Sequence, residues 1–278
     1  MALHSPVITT QMEKAERFRA LHARAGAFVI PNPWDIGTAR MLAALGFEAL
    51  ATTSAGYAFA LGRKDGGVGR EGVLAHARAI AAATDLPVSA DLENCFGDDP
   101  ESVAETIRLA AETGLVGGSV EDATGDSPRP IYDFNHAVER VRAAAEAAHA
   151  LSFPFMLTAR AENFLHDRPE LDDTIRRLQA FEQAGADVLY APGLADLASI
   201  NTVCSSVSKP VNVLAWKSGF SVQELAAAGA RRISLGSGLS RLALGTFLAA
   251  AREITERGTF TFLQQAAPSA EISRFMEG

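Results

Sequence analysis

Cysteine is scarce in this chain, since only Cys95 and Cys204 occur among its 278 residues. Two cysteines cannot form a disulfide framework and suit a reducing compartment, although the sequence leaves one bond between them open. The chain also lacks an apolar run of the roughly 18 residues that span a bilayer, and its start lacks the basic and then apolar segments of a signal peptide. We therefore predict a cytoplasmic protein without a membrane partner.

Several functional signatures are absent as well. The net charge is −8 and no basic run interrupts it, which argues against nucleic-acid binding. There is no G-x-S-x-G elbow, Walker loop or G-x-G-x-x-G turn, so serine hydrolases, P-loop enzymes and Rossmann dehydrogenases are disfavoured. None of the six histidines has metal-ligand spacing or directly follows a predicted strand, and we expect them at the surface.

What the chain does contain is a repeated phrase: an alanine-rich helical stretch, a glycine, and then an apolar run. It occurs around Gly46, Gly114, Gly185 and Gly229. Each glycine suits the left-handed residue that ends a helix, and each apolar run suits a strand buried on both faces. Four further runs, AFVIPN, LPVSADLE, FPFMLTARAE and PVNVLAW, bring the predicted strands to eight.

Eight strands alternating with helices predict a single α/β domain over residues 1–278, a (β/α)8 TIM-type barrel. We expect residues 1–20 to form an arm and a helix, and residues 259–278 to form a C-terminal helix and tail.

Polar residues cluster where the predicted strands end, which is where barrels of this type carry their active sites. Asp91 and Glu93 are two residues apart after strand three and project to the same side, and Glu121 ends strand four. Converging carboxylates repel one another unless a cation lies between them, and a hard ion with oxygen ligands meets that need. We predict Mg²⁺, with Mn²⁺ as the alternative ion, held by Asp91, Glu93 and Glu121. Neutralisation by a nearby arginine is the competing interpretation.

Other strand ends offer groups for an anionic substrate. Arg160 ends strand five with a planar guanidinium that suits a carboxylate. The alternative is a structural ion pair with Glu121, Asp122 or Glu162. Residues 54–56 are small enough to bring backbone N–H groups close to an oxyanion, although a tight turn would look the same. The predicted substrate contacts are Trp34, Ser54, Ala55, Gly56, Asp91, Arg160 and Asn212.

Several segments together resemble the isocitrate lyase/phosphoenolpyruvate mutase superfamily: NPWDIGTARMLAALGFEALATTSAGYAFALGRKDG, LPVSADLENCFG, GGSVEDATG, LTARAENF and GARRISLG. The resemblance implies that residues 54–56 bind the substrate's oxyanion or carboxylate and that Arg160 binds the substrate. It implies that Asp91, Glu93 and Glu121 hold Mg²⁺, and it places Asp65 of the LGRKDG loop close to the reacting group. It also implies a homo-oligomer, a dimer or tetramer, whose subunits exchange the last barrel helix.

The departures from this superfamily concern mainly the loop after strand four. Isocitrate and methylisocitrate lyases carry K-[KR]-C-G-H there, with a cysteine that serves as acid and base, whereas this chain reads EDATGDSPRPIYDFN. The lysine- and asparagine-containing gating loop of phosphoenolpyruvate mutase and phosphonopyruvate hydrolase is missing too. The usual D-x-D is D-x-E here, from Asp91 to Glu93, which lengthens one arm of the metal site.

These features predict a Mg²⁺-dependent carbon–carbon lyase that acts on a small 2-oxo or 2-hydroxy carboxylate through an enolate. An oxaloacetate-like decarboxylase is the best match, with Tyr57, Asp65 and Arg160 as the predicted catalytic residues. One alternative is cleavage of a substituted malate, with Tyr57, Asp65 or Tyr132 as proton carrier. The others are C–P chemistry of the phosphonopyruvate or carboxyphosphonoenolpyruvate mutase type and a non-catalytic 2-oxo acid binding protein.

Overall fold

A computed structural model describes residues 9–215 and 219–276. Eight strands alternate with helices along it, as the repeated phrase predicts. The strands are β1 Phe28–Ile30, β2 Leu50–Ala51, β3 Val88–Ala90, β4 Gly117–Glu121, β5 Met156–Arg160, β6 Val188–Tyr190, β7 Val211–Leu214 and β8 Arg232–Ser234. The helices are α1 Gln11–Ala23, α2 Ile36–Ala44, α3 Ser54–Ala60, α4 Arg70–Ala82, α5 Pro100–Ala111, α6 Phe134–His149, α7 Leu171–Gln183, α8 Leu197–Ser205, α9 Val222–Ala227, α10 Gly238–Arg257 and α11 Ser269–Met276. Two 3₁₀ helices span Asn163–His166 and Thr261–Gln265.

The strands form one parallel sheet that curls into a nearly closed barrel. Each strand from β2 to β7 pairs with the next along the chain, and β8 pairs with β1. The gap between β1 and β2 is bridged by a hydrogen bond from Ala51 N to Pro31 O at 3.1 Å. The predicted (β/α)8 barrel is therefore confirmed.

Helix α1 closes the N-terminal end of the barrel. Thr10 caps this helix through a capping box with Glu13, which satisfies backbone N–H groups at its first turn. Phe18 and Leu21 are buried against the barrel residues Phe28, Ile30, Val116, Met156 and Val188. The opposite end of the barrel stays open, and the strands' carboxyl ends lie there.

Helix α10 presents apolar side chains to solvent. It follows β8, and Leu242 and Phe247 on it are 68% and 67% exposed. A large apolar surface left uncovered on one chain is typical of a face that another chain covers. The exchange of this helix between subunits stays a prediction. None of the helices in the described ranges combines the length and apolarity that crossing a bilayer requires.

Candidate active site

Arg160 is the centre of the polar cluster at the open end of the barrel. Its Nη1 lies 2.9 Å from Asp91 Oδ1, its Nη2 3.1 Å from Glu121 Oε2, and its Nε 2.8 Å from Glu162 Oε1. Burial alone would lower the pKa of Arg160, but the three carboxylates hold it well above its usual value. The ion pair expected as the alternative role of Arg160 is thus present with Glu121 and Glu162. Three carboxylates face one guanidinium, so ionisation of all three would leave an excess of two negative charges.

Glu93 lies beside this cluster on a backbone in the left-handed region. Its φ is +52°, and those of Cys95 and Phe96 are +61° and +60°, which is uncommon for residues other than glycine. The Oε1 atom of Glu93 is buried and has no hydrogen-bond partner. Burial and the neighbouring Asp91 and Asp65 raise the pKa of Glu93 to about 7. A buried carboxyl oxygen without a partner calls for a proton or a cation.

Arg140 holds the segment that carries Glu93. The guanidinium of this buried residue donates to the carbonyl oxygens of Asn94, Gly97 and Asp98 at 2.5–2.7 Å. It also lies over the Tyr132 ring, 4.2 Å from its centroid. These bonds offset the conformational cost of the left-handed residues. Arg140 therefore fixes the backbone position from which the Glu93 side chain extends.

The carboxylates fit a hard divalent cation by their chemistry. Asp91, Glu93 and Glu121 offer only oxygen ligands, and burial raises the pKa of Glu121 well above its usual value although Arg160 opposes this. Burial is the main cause of both raised pKa values, of Glu93 and of Glu121, with repulsion between the carboxylates adding to it, and a cation between them would stabilise their charged forms. In the part of the chain that the structure describes, however, no three Asp, Glu, His or Cys side chains form a ready-made metal cluster. Arg160 occupies one oxygen each of Asp91 and Glu121, and the metal assignment stays a prediction.

Two cavities meet at this cluster. The first, of about 550 Å³, opens into the barrel, and the second, of about 770 Å³, lies over the loops after β3, β4 and β5. Ser54, Asp65, Arg160 and Leu165 line both. Of the other predicted site residues, the first cavity contains Ala55, Asp91 and Asn212, and the second contains Glu93 and Glu121.

Residues 54–56, which were predicted to bring backbone N–H groups close to an oxyanion, form the first turn of helix α3. The Thr53 side chain caps this helix by accepting from Gly56 N at 3.3 Å, which explains why the chain turns helical directly after β2. Ser54 N donates to Asp91 Oδ2 at 3.1 Å. The N–H of Ala55 is not bonded to another described residue. It belongs to the N-terminal turn of helix α3, and the N-terminal end of a helix favours anions.

Trp34 and Tyr57 are not brought into either cavity. The Tyr57 ring stacks on His76 at 3.8 Å between centroids. The His76 Nε2 lies 3.1 Å from Trp34 O, and because a carbonyl oxygen only accepts, Nε2 carries the proton. Tyr57 therefore anchors helix α3 to His76, which in turn contacts the backbone of Trp34.

The barrel interior beneath the carboxylates is polar, which sequence reasoning missed. Barrels of this type normally fill this layer with branched apolar residues. Here most of the inward residues that line the first cavity beside Ile30 are polar: Ser89, Ser119, Thr158, Asn212, Arg232 and Ser234. The sequence does contain a signal for this polar layer, because side chains two positions apart on a strand point to the same side. Ser89, Ser119 and Thr158 precede Asp91, Glu121 and Arg160, respectively, by two positions.

Arg232 is a buried cation in this layer. It is only 6% exposed, and its partners are neutral: Nε donates to Asn212 Oδ1 at 2.8 Å, and Nη2 donates to Thr158 Oγ1 at 2.9 Å. Its Nη1 lies 3.4 Å from His22 Nε2 on helix α1. Burial lowers the pKa of Arg232 to about 10, so it stays charged at neutral pH. It orients the Asn212 amide and links the closed end of the barrel to the cavity.

The histidines were all expected at the surface, but His22 and His76 are buried, and the half-buried His166 lines the second cavity. It ends the short 3₁₀ helix after β5, and no periodic pattern in the sequence marks such a turn.

The chain is similar to known proteins in both sequence and fold. A family model described as phosphoenolpyruvate phosphomutase matches residues 18–255. The crystal structure of a protein from Burkholderia cenocepacia J2315, provisionally assigned as a lyase/mutase, is 58% identical with a TM-score of 0.94, covering 96% of this chain and 97% of that one. The 2-methylisocitrate lyase of Escherichia coli K12 is 28% identical over 219 residues, 76% of this chain and 70% of the relative. A phosphonopyruvate hydrolase in complex with oxalate and Mg²⁺ shares the fold with a TM-score of 0.83 at 20% identity, covering 95% of this chain and 94% of that one.

Proposed function

The chain belongs to the phosphoenolpyruvate phosphomutase family of the isocitrate lyase/phosphoenolpyruvate mutase superfamily, and we propose that it is a Mg²⁺-dependent enzyme that decarboxylates an oxaloacetate-like 2-oxo acid. This superfamily contains lyases and mutases. The main support for this proposal is the excess of carboxylates around Arg160, next to the Glu93 Oε1 atom that has no hydrogen-bond partner. An oxo acid and a divalent cation together complement that charge pattern.

Asp91, Glu93 and Glu121 would hold the ion. When bound, Mg²⁺ supplies positive charge to the substrate's carboxylate and 2-oxo oxygens. Two N–H groups of Arg160 donate to Glu162 and Asp91, and its Nη2 lies 3.1 Å from Glu121. The guanidinium therefore has N–H groups left that can orient the substrate carboxylate. The Ala55 N–H is the chain's own donor for the oxygen that becomes negative. In the reaction the C3–C4 bond breaks, its electron pair forms the C2–C3 double bond of the enolate, CO₂ leaves, and C3 then takes up a proton to give pyruvate.

A cysteine or tyrosine base, such as a reaction that begins with proton removal could use, is not available in the loops after β3 and β4. The loop over residues 122–133 carries no cysteine or histidine. Cys95 is fully buried, and burial raises the pKa of its thiol to about 12. The Tyr132 hydroxyl donates to Asp98, and burial with this bond raises its pKa to about 12. Decarboxylation needs no base in its bond-breaking step.

The test is pyruvate release from oxaloacetate with Mg²⁺, measured against Mg²⁺ alone. We expect acceleration by the wild-type protein, loss of it with chelator, and a decrease of at least about 100-fold for Asp91→Asn, on the scale of a lost charge-stabilising group. Asp196→Asn is the matched control, because Asp196 caps helix α8 and asparagine caps a helix equally well. A wild-type rate equal to that of Mg²⁺ alone, or an undiminished Asp91→Asn rate, would refute the proposal.

The size of the first cavity supports one second candidate, cleavage of a substituted malate. Its volume of about 550 Å³ lies within the range of roughly 300–1,000 Å³ that holds drug-sized ligands, and so leaves room beside a four-carbon acid. Product analysis over a panel of 2-hydroxy diacids distinguishes this reaction from decarboxylation.

Two further assays test the remaining functions. Phosphate release from phosphonopyruvate would reveal C–P chemistry, and calorimetric binding of oxalate or 2-oxoglutarate without turnover would indicate a binding protein.

A further inference from the structure

His166 is held in place by the segment that also carries Arg160. The 3₁₀ helix Asn163–His166 follows β5 and is closed by Asp167, whose φ of +56° is left-handed. Arg168 N donates to Asn163 O at 2.9 Å. A Cβ atom built on Gly193 would lie 2.8 Å from Phe164 Cβ, so the turn packs tightly against the loop after β6. The position of the imidazole is therefore tied to that of Arg160.

His166 belongs to the loop after β5, which borders the site. It lines the second cavity together with Glu93, Glu121 and Arg160, and its neighbour Leu165 lines both cavities. The ring makes no hydrogen bond, ion pair or ring contact with any residue in the described ranges. Both ring nitrogens are thus available to a ligand or to a water beside it.

The other histidines of the described ranges are engaged elsewhere. His22 and His76 are buried on the partners given above, His136 Nε2 lies 2.9 Å from Asp98 O, and His149 Nε2 lies 3.5 Å from Asp187 Oδ1. None of these four lines either cavity. With Cys95 and Tyr132 also excluded by burial and bonding, His166 is the imidazole that the cavity offers, and imidazole is the side chain that most often transfers protons near neutral pH.

We propose that His166 is the proton carrier of this site: it protonates the enolate carbon after the carbon–carbon bond has broken. This inference rests on the proposed function and extends it. The electron pair of the enolate C2–C3 double bond takes the proton from the imidazolium to form a C–H bond, while the negative oxygen becomes the carbonyl of pyruvate. The neutral imidazole then regains a proton from water. In the reverse direction His166 removes a proton from the methyl group of pyruvate.

The reverse step separates this role from decarboxylation. Pyruvate is incubated with the full-length protein and Mg²⁺ in D₂O, and loss of the methyl proton signal is followed by NMR, alongside CO₂ release from oxaloacetate. For His166→Gln we expect methyl exchange to fall by at least about 100-fold, the lower range of general acid–base catalysis, with a much smaller decrease in CO₂ release. His149→Gln is the matched control, because this exposed histidine lies at the opposite end of helix α6 from the loops of the site, and it should exchange like the wild type.

A second variant keeps the test informative if glutamine disturbs the turn. His166→Ala should regain methyl exchange when imidazole is added to the buffer, and retained oxalate binding would show that the site is intact. If His166→Gln and the wild type exchange equally fast while both release CO₂, the role of His166 is refuted and the proposed function stands. A wild-type protein that neither releases CO₂ nor exchanges the methyl protons would refute both.

Discussion

Acidification should weaken the fold through His22, the histidine between helix α1 and the barrel. It is 5% exposed, and its Nδ1 lies 2.8 Å from Phe18 O, which a carbonyl allows only if Nδ1 carries the proton. The other nitrogen, Nε2, faces the guanidinium of Arg232 at 3.4 Å. The rings of Phe18 and Phe28 lie edge-on to it, at 4.7 and 5.0 Å between centroids. A second proton would therefore place two cations face to face in an apolar setting.

The magnitude follows from proton linkage. Burial, and then Arg232, lower the pKa of His22 to about 3, whereas an unfolded histidine titrates near ~6.5. Between these values the unfolded chain binds a proton that the folded chain does not, so lowering the pH favours unfolding. Above about pH 6.5, His22 is neutral in both states and does not lower the free energy of unfolding. As the pH falls from there towards the pKa of His22 in the folded protein, the free energy of unfolding decreases by about 1.4 kcal/mol per pH unit. At pH 5 this amounts to about 2 kcal/mol.

Equilibrium denaturant unfolding at pH 7.5 and pH 5.0 measures this loss, at one fixed protein concentration because an oligomer would shift the midpoint. Subtracting the change in unfolding free energy measured for His22→Gln cancels the effect of the carboxylates, which titrate in both proteins. We expect the wild type to lose about 2 kcal/mol more than His22→Gln, whereas His149→Gln should behave like the wild type. An identical pH dependence of wild type and His22→Gln would show that His22 takes up its second proton as readily in the folded protein as in the unfolded chain, and would refute the reasoning.

Three further changes test other parts of the structure. Arg140→Lys should weaken Mg²⁺ binding about 10-fold or more in calorimetry, because lysine cannot bond to all three carbonyl groups that fix the Glu93 segment; unchanged affinity would remove Arg140 from the metal site. Gly56→Ala should lower the free energy of unfolding by about 1–3 kcal/mol, because the new Cβ would lie 2.6 Å from a side-chain carbon. In the control Gly245→Ala nothing lies within 4 Å, so equal losses would contradict the packing argument. Phe247→Glu on helix α10 should reduce the molecular mass measured by light scattering if a second copy covers this face, whereas Leu45→Glu, 66% exposed, should not; an unchanged mass in both would exclude that interface.

Periodicity made the barrel predictable. The glycine that ends a helix before each apolar run recurs at Gly114 and Gly185, both with positive φ, and alternation along a strand determines which side chains point inward. The same alternation brought Asp91, Glu121 and Arg160 to one end of the barrel, as their order along the strands indicates.

The rest depends on contacts between residues distant in sequence. The Glu93 segment adopts its left-handed path because Arg140, more than 40 positions later, bonds to its carbonyl groups. The start of helix α3 depends on a cap by Thr53, and the direction of Tyr57 depends on stacking against His76. No local pattern records such partners, so the helix at residues 54–56 and the turn that carries His166 were beyond sequence reasoning.

The polar barrel interior has a consequence for how this protein can change. The apolar residues that hold the strands to the helices, such as Leu157, Leu189 and Ile233, point outward into a separate buried layer. Small inward residues such as Ser89 and Ser119 contribute little to that layer, so replacing them changes the shape of the ligand chamber with little effect on the stability of the fold. Selection for a new substrate can therefore act on the chamber while the outer layer preserves foldability.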